Sequence, residues 1–424
     1  MRQTKEARIM NVLSLFSGCG GMDIGFEGNF RCLKRSINTS MHPDWIATDH
    51  GDWVTVKKTM FQTIFANDIR PDAKVAWMSY FSDKIKRADE IYHLCSIVDL
   101  VKREKAGDRL FPDKVDIVTG GFPCQDFSVA GKRRGLNSKK NHIGGLLEAG
   151  EPSIESRGQL YMWMRDVVSL TQPSLFIAEN VKGLANLHDV KTVIEKDFAN
   201  AANGGYIVIP AKILHSADYG VPQSRERIIF YGFKKSALTQ KAMCALASEN
   251  IPAEYDPYPQ PTHAFTRNEH NLLAPVTCKE ALVGLVEPEY SDDLSQRKYS
   301  KAKYMGRHCQ GQTEICLDSI APTIRSEHHG NIEFRRLNKE HGGNHTEELA
   351  QGLPERRLSV RECARIQTFP DEYQFIIPQK KGNVSVSSSD AYKIIGNAVP
   401  CVLAYNIAMR IEENWPKYFT GDRK

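Results

Sequence analysis

No apolar run in this 424-residue chain approaches the roughly 18 residues that a membrane-spanning helix needs, so none is expected. Behind the charged start MRQTKEARIMN lies only VLSLF, too short for the core of a secretion signal, and the chain reads as cytoplasmic. No pair among its 10 cysteines has C-x-x-C spacing. Cys309, Cys316, His328, His329, His341 and His345 fit no common zinc pattern, so no metal is expected and the thiols read as reduced. Internal repeats are missing, and the only biased tract is SVSSSD at 385–390. Charge of one sign is not in large excess: the net +5 leans toward polyanionic partners without deciding anything. With 41% hydrophobic and 25% charged residues, the composition is that of a globular chain of two or three domains.

The first half alternates strand-like runs with helical periods. Strands are expected over 11–17, 63–68, 115–120, 175–181, 206–214 and 227–233, and helices over 71–83, 160–170 and 190–202. Such alternation predicts a doubly wound, mostly parallel α/β sheet. The last two strands are separated by HSADYGVPQSRE, too short for a crossover helix, so they should form an antiparallel hairpin at one edge. From about residue 234 the periods fade, and 252–355 reads as a second, irregular domain. A helical pattern returns over 391–413, after a turn at YKIIGNAVP, and should pack back on the first domain.

Five segments carry chemistry. LFSGCGGMDIGFEG (15–28) ends a strand in Gly18, Gly20 and Gly21, which let a backbone approach a nucleotide-like ligand closely. Asp68, at the end of the next long strand, is placed to hold a ribose hydroxyl pair if 29–60 is an insertion. On these glycines alone NAD, FAD and S-adenosylmethionine (SAM) sites fit equally, and so does a plain tight turn. GGFPCQDFSVAGKRRG (120–135) puts Cys124 after a strand, beside glycines and Lys132, Arg133 and Arg134, a setting that favours thiolate; a buried structural cysteine is the bland alternative. In AENV (178–181) Glu179 leaves an apolar run, where partial desolvation raises its proton affinity; it could equally be an ion-paired carboxylate. In PQSRERIIFYG (222–232) period two puts Arg225 and Arg227 on one face, as ligands of phosphate or a carbonyl edge or as guards of an edge strand. Finally, RRLSVRECARIQTFPDEY (356–373) reads as a capped amphipathic helix. Outside these, QRKYSKAKYMGR (296–307) is basic with two tyrosines and no acid, a solvated loop or a nucleic-acid contact.

Taken in order, these segments resemble the motif series of the DNA cytosine carbon-5 methyltransferases of bacterial restriction-modification systems, over about two thirds of the chain. FSGCGG resembles that family's SAM loop, GFPCQDFS its nucleophile loop, ENV its glutamate, QSRER its arginine pair, and RECARIQTFP and GNAVP its last two motifs. The resemblance implies a SAM-dependent Rossmann-like catalytic domain over 1–236, completed by 390–424, and a target-recognition domain over 237–389. It implies methyl transfer to carbon 5 of a flipped-out cytosine in a short double-stranded DNA sequence, protecting that DNA from a cognate restriction endonuclease with which no stable complex forms. Cys124, Glu179, Arg225 and Arg227 would be catalytic. Phe16, Ser17, Gly18, Gly20, Gly21, Asp68, Ile69, Ser96, Pro123, Asn397 and Val399 would hold SAM. Gln125, Ser128, Lys132, Arg133, Arg325, Arg335 and Arg336 would contact DNA, the last three as readers of guanine edges. The expected state is a monomer, associated with the nucleoid through DNA and independent of any membrane.

Two positions depart from the family. Ser14 stands where an aspartate often precedes Leu-Phe, and Ser96 falls where an aspartate should meet the adenine amino group, with Asp99 three residues later. Three other readings compete. A transfer RNA methyltransferase usually carries a different tripeptide after Pro-Cys, a dehydrogenase leaves Cys124 and Glu179 without roles, and a silent SAM-binding regulator would not need them.

Overall fold

The computed structural model describes residues 8–123, 160–185, 188–266, 271–326, 332–378 and 385–419. Its centre is a seven-stranded sheet of β1 (Met10–Leu15), β5 (Phe61–Asp68), β6 (Tyr92–Leu94), β7 (Ile117–Gly121), β8 (Leu175–Val181), β9 (Tyr206–His215) and β10 (Glu226–Lys234), in the order β6-β5-β1-β7-β8-β10-β9. The first five in that order run parallel, and β10 pairs antiparallel with both β8 and β9. The mostly parallel sheet and its antiparallel edge hairpin are those the sequence predicts.

Continuous apolar runs such as LFIAENV suit strands covered on both faces. One face is closed by α1 (Gly21–Glu27), α2 (Pro71–Phe81) and the C-terminal α13 (Cys401–Tyr418), and the other by α4 (Ile97–Lys105), α5 (Leu160–Thr171) and α6 (His188–Ala199). Between β1 and β7 the chain order reverses, which opens a crevice at the carboxyl ends of the strands. The insertion expected after Gly28 is a small antiparallel sheet of β2 (Arg31–Leu33), β3 (Ile46–His50) and β4 (Trp53–Val56).

Beyond β10 regular structure is sparse, as the faded periods predict: α3 (Ala88–Ile91) lies earlier, and α7 (Gln240–Leu246), α8 (Cys278–Ala281), α9 (Leu294–Arg297), β11 (Phe334–Arg336), α10 (Thr346–Ala350) and β12 (Arg356–Arg357) are all short. The RECARIQTFP segment forms α11 (Val360–Ile366), started by a capping box between Ser359 and Glu362. YKIIGNAVP is corrected: its first six residues end a helix, α12 (Ser388–Asn397), and only Ala398–Pro400 make the break before α13. The apolar stretch Ser388–Tyr418 is long enough to cross a membrane, but its most apolar window is 83% buried within the fold.

Candidate active site

A cavity of about 670 Å³ opens at the β1/β7 crevice. The glycine loop forms one wall with Phe16, Ser17, Gly18 and Gly21. Phe16 is held at φ 52°, a left-handed conformation that is strained for an aromatic residue and aims the loop across the strand ends. Asp68 Oδ2 accepts from Gly18 N at 2.9 Å and Oδ1 accepts from Arg70 N, so the carboxylate also fixes the loop. Burial pushes the Asp68 carboxyl above the usual range, against these hydrogen bonds. Gly21 meets the other end of the chain: a Cβ there would lie 2.2 Å from Val399 O. Gly20 does not line the cavity; its missing side chain leaves room for Trp77, whose Cδ1 would lie 2.7 Å from a Cβ.

Ile69, Ser96, Pro123, Asn397 and Val399 complete the expected group around this cavity. Ser96 is also the N-cap of α4, accepting from Val98 N, whereas Asp99 is exposed on that helix and does not line the cavity. At the Ser14 departure a second carboxylate is present nearby: Asp23 of α1 is 1% exposed, with Oδ1 2.6 Å from Ser14 Oγ and Oδ2 accepting from Trp77 Nε1 at 2.8 Å.

The opposite wall holds Glu179, Arg225 and Arg227. Glu179 is 7% exposed and its Oε1 lies 2.7 Å from Arg227 Nε. Burial raises the Glu179 carboxyl above its ordinary range while Arg227 and Arg225 pull it down. Gly121 leaves space for it, since a Cβ would come within 2.7 Å of Glu179 Oε2. Asn180 Nδ2 donates to Phe122 O at 3.1 Å, tying the end of β8 to the residue before Pro123.

Arg225 differs from the expectation of a catalytic contact. Fully buried, it donates to Ile324 O, Gly396 O and Ala398 O at 3.1, 2.9 and 2.8 Å. Its guanidinium therefore braces the cavity wall by tying the 321–326 segment to the α12–α13 break. Arg336 is corrected as well: it is fully buried, paired with Glu287 and Glu348 at 2.7 Å each, and cannot reach a guanine edge. Arg335 is taken up by the same Glu348 at 2.6 Å. Arg325 lines the cavity itself, with Nη1 buried and without a hydrogen-bond partner among the described residues. Cys124, Gln125, Ser128, Lys132 and Arg133 lie outside the described residues.

Sequence reasoning missed Asp23, Thr119, Asn180 and Gln310, and named Ser14 only as a departure from the family. Thr119 Oγ1 is a buried wall atom without a partner among the described residues. That orphaned hydroxyl, the glycine cradle, the rim carboxylate Asp68 and the volume suit a nucleoside-sized cofactor with polar groups. Fold and cavity define a doubly wound α/β protein with a nucleoside-sized site at its switch point.

The C-5 cytosine-specific DNA methylase family matches residues 10–413, and the chain belongs to it, as a DNA cytosine-5-methyltransferase. It is 32% identical to Type II methyltransferase M.BsuRI of Bacillus subtilis, over 96% of this chain and 80% of that protein. It is 31% identical to Type II methyltransferase M.BspRI of Lysinibacillus sphaericus, over 95% and 81%. Among solved structures, the fold matches the S. pombe Dnmt2 methyltransferase with TM-score 0.51 at 17% identity, covering 96% of this chain and 99% of that one.

Proposed function

We propose that the chain methylates carbon 5 of a flipped-out cytosine within a specific double-stranded DNA sequence, through a covalent adduct with Cys124. The observation that carries this reading is the buried Glu179–Arg227 pair sharing one cavity with the glycine loop, directly behind Pro123. A base stacked in a duplex cannot enter such a cavity, so the target nucleotide must leave the stack.

In this reading the Cys124 thiolate attacks carbon 6, and Glu179 donates a proton to ring N3 as charge builds there. Its raised proton affinity suits a donor, and Arg227 holds the carboxyl in place while facing the O2 edge. SAM bound by the glycine loop, Asp68, Ile69, Ser96, Asn397 and Val399 supplies an electrophilic methyl group. Carbon 5 then carries both methyl and hydrogen; loss of that proton, return of the N3 proton to Glu179 and expulsion of the Cys124 sulfur restore the aromatic ring. Phe16 packs on the cofactor, and Thr119 offers it a hydroxyl.

Residues 237–389 supply target recognition. The five basic residues of 296–307 are all exposed, as phosphate contacts require, whereas Arg335 and Arg336 are withdrawn as base readers. Arg325 meets the DNA at the cavity itself, and Gln125, Ser128, Lys132 and Arg133 approach it from the nucleophile loop. The named relatives, both Type II methyltransferases, support a protective role against a cognate endonuclease. The enzyme acts as a monomer in the cytoplasm, because one strand is modified at a time.

The test is incubation of purified protein with SAM and unmethylated genomic DNA, followed by nucleoside mass spectrometry. 5-Methylcytosine should appear, and Cys124→Ser should abolish it. Absence of the product while SAM binds would turn the reading toward an RNA substrate or a silent binder.

A further inference from the structure

We infer that Asp23 is a neutral carboxylic acid closing a hydrogen-bonded ring with Ser14 and Ser17, and that this ring is a positioning device for the glycine loop. The reasoning is a count of protons. Three oxygen pairs are in contact: Ser14 Oγ with Ser17 Oγ at 2.6 Å, Ser14 Oγ with Asp23 Oδ1 at 2.6 Å, and Ser17 Oγ with Asp23 Oδ2 at 2.9 Å. Two hydroxyl hydrogens can fill two of these contacts. With an ionised Asp23 the third would place two oxygens at hydrogen-bond distance with no hydrogen between them.

A proton on Oδ1 resolves the count. Asp23 O–H donates to Ser14, Ser14 donates to Ser17, and Ser17 donates back to Oδ2, which also accepts from Trp77 Nε1 at 2.8 Å. Every polar atom of the ring is then satisfied. The setting favours the neutral form: Ser14 is 2% and Asp23 1% exposed. Ser14 and Ser17 face Asp23 from β1 and the loop, and Trp77 from α2, all uncharged. The ionisable groups that share its field, Cys19, Glu27, Tyr92, Tyr373 and Cys401, are acidic, so none of them offsets a buried carboxylate.

The device works through Ser17. Its backbone N donates to Asn67 O and its carbonyl accepts from Gly20 N, so fixing its side chain fixes the first turn of the loop. Trp77 joins the ring while filling the space that Gly20 leaves, which locks α2 to the same turn. Asp23 does not line the cavity.

The functional consequence rests on the proposed SAM site, and the test separates the two. SAM binding is measured by calorimetry on wild type, Asp23→Asn and Asp23→Ala, beside infrared difference spectra. Asparagine carries a donor and an acceptor as the neutral acid does, so Asp23→Asn should bind SAM within about threefold of wild type. Asp23→Ala opens the ring and should weaken binding about tenfold or more, with kcat far less affected than the SAM KM. Wild type should show the carbonyl stretch of a protonated carboxylic acid, lost in Asp23→Asn. If Asp23→Ala does not fold, Ser14→Ala breaks the same ring with a smaller cavity. The inference is overturned if Asp23→Asn weakens binding as much as alanine does, or if wild type lacks the infrared band. Wild type that fails to bind SAM would sink the cofactor site, while the band would still decide the state of Asp23.

Discussion

Arg227 Nε lies 2.7 Å from Glu179 Oε1, and both side chains are about one-tenth exposed, 11% and 10%. The guanidinium opposes the effect of burial on that carboxyl, so it sets how readily Glu179 gives up a proton. Arg227→Gln removes the opposing charge, and Glu179 should hold its proton to higher pH. The kcat is expected to fall about 10²-fold, and the alkaline limb of the kcat–pH profile should move upward. An unmoved limb would separate Arg227 from the proton donor.

Gly121→Ala tests the position of the same carboxyl from the other side. The added methyl would come within 2.7 Å of Glu179 Oε2 and push it from the cavity wall. Turnover should drop by about 10²-fold while SAM affinity stays within about threefold, which single-turnover kinetics and calorimetry would resolve.

Arg225→Ala should act on stability first. It leaves the carbonyls of Ile324, Gly396 and Ala398 without their buried donor. A loss of about 3 kcal/mol in chemical denaturation is expected, with weaker SAM binding because residues 396–398 lose their brace. A variant as stable as wild type would return Arg225 to a direct contact with substrate.

Glu287 governs the acid limb of stability. Burial alone would raise its pKa, but hydrogen bonds and charge from Arg356 and Arg336 outweigh this and hold it at about 2. A depressed carboxylate stabilises the fold above its unfolded pKa, and that contribution is lost as pH falls toward 2. Glu287→Gln should therefore cost about 2–3 kcal/mol at neutral pH, and its stability should vary less than wild type's between about pH 5 and 2. Urea titrations across that range would check both.

The legible parts of the fold were those in which one segment carries its own signal. LFIAENV is apolar and β-rich, and β8 spans those seven residues as expected. β6 was not read, because three residues hold no period and pair only at the edge of β5. The sequence predicts a turn at YKIIGNAVP, whereas its first six residues end α12, where a Cβ at Gly396 would strike the Arg325 backbone. Arg336 looked like a DNA ligand because a sequence shows charge but not the neighbours that neutralise it, and Glu287 lies 49 residues away. Likewise Ser14 was visible as a departure, but not its contact with Asp23 across the strand–helix turn.

The cavity joins residues 14–22 to residues 394–399, with six of the seven strands of the central sheet between them in sequence. A growing chain therefore completes the strands of its central sheet long before it can close this cavity. A chain stopped ahead of Ser388 should accordingly bind no SAM, even where its central sheet has formed.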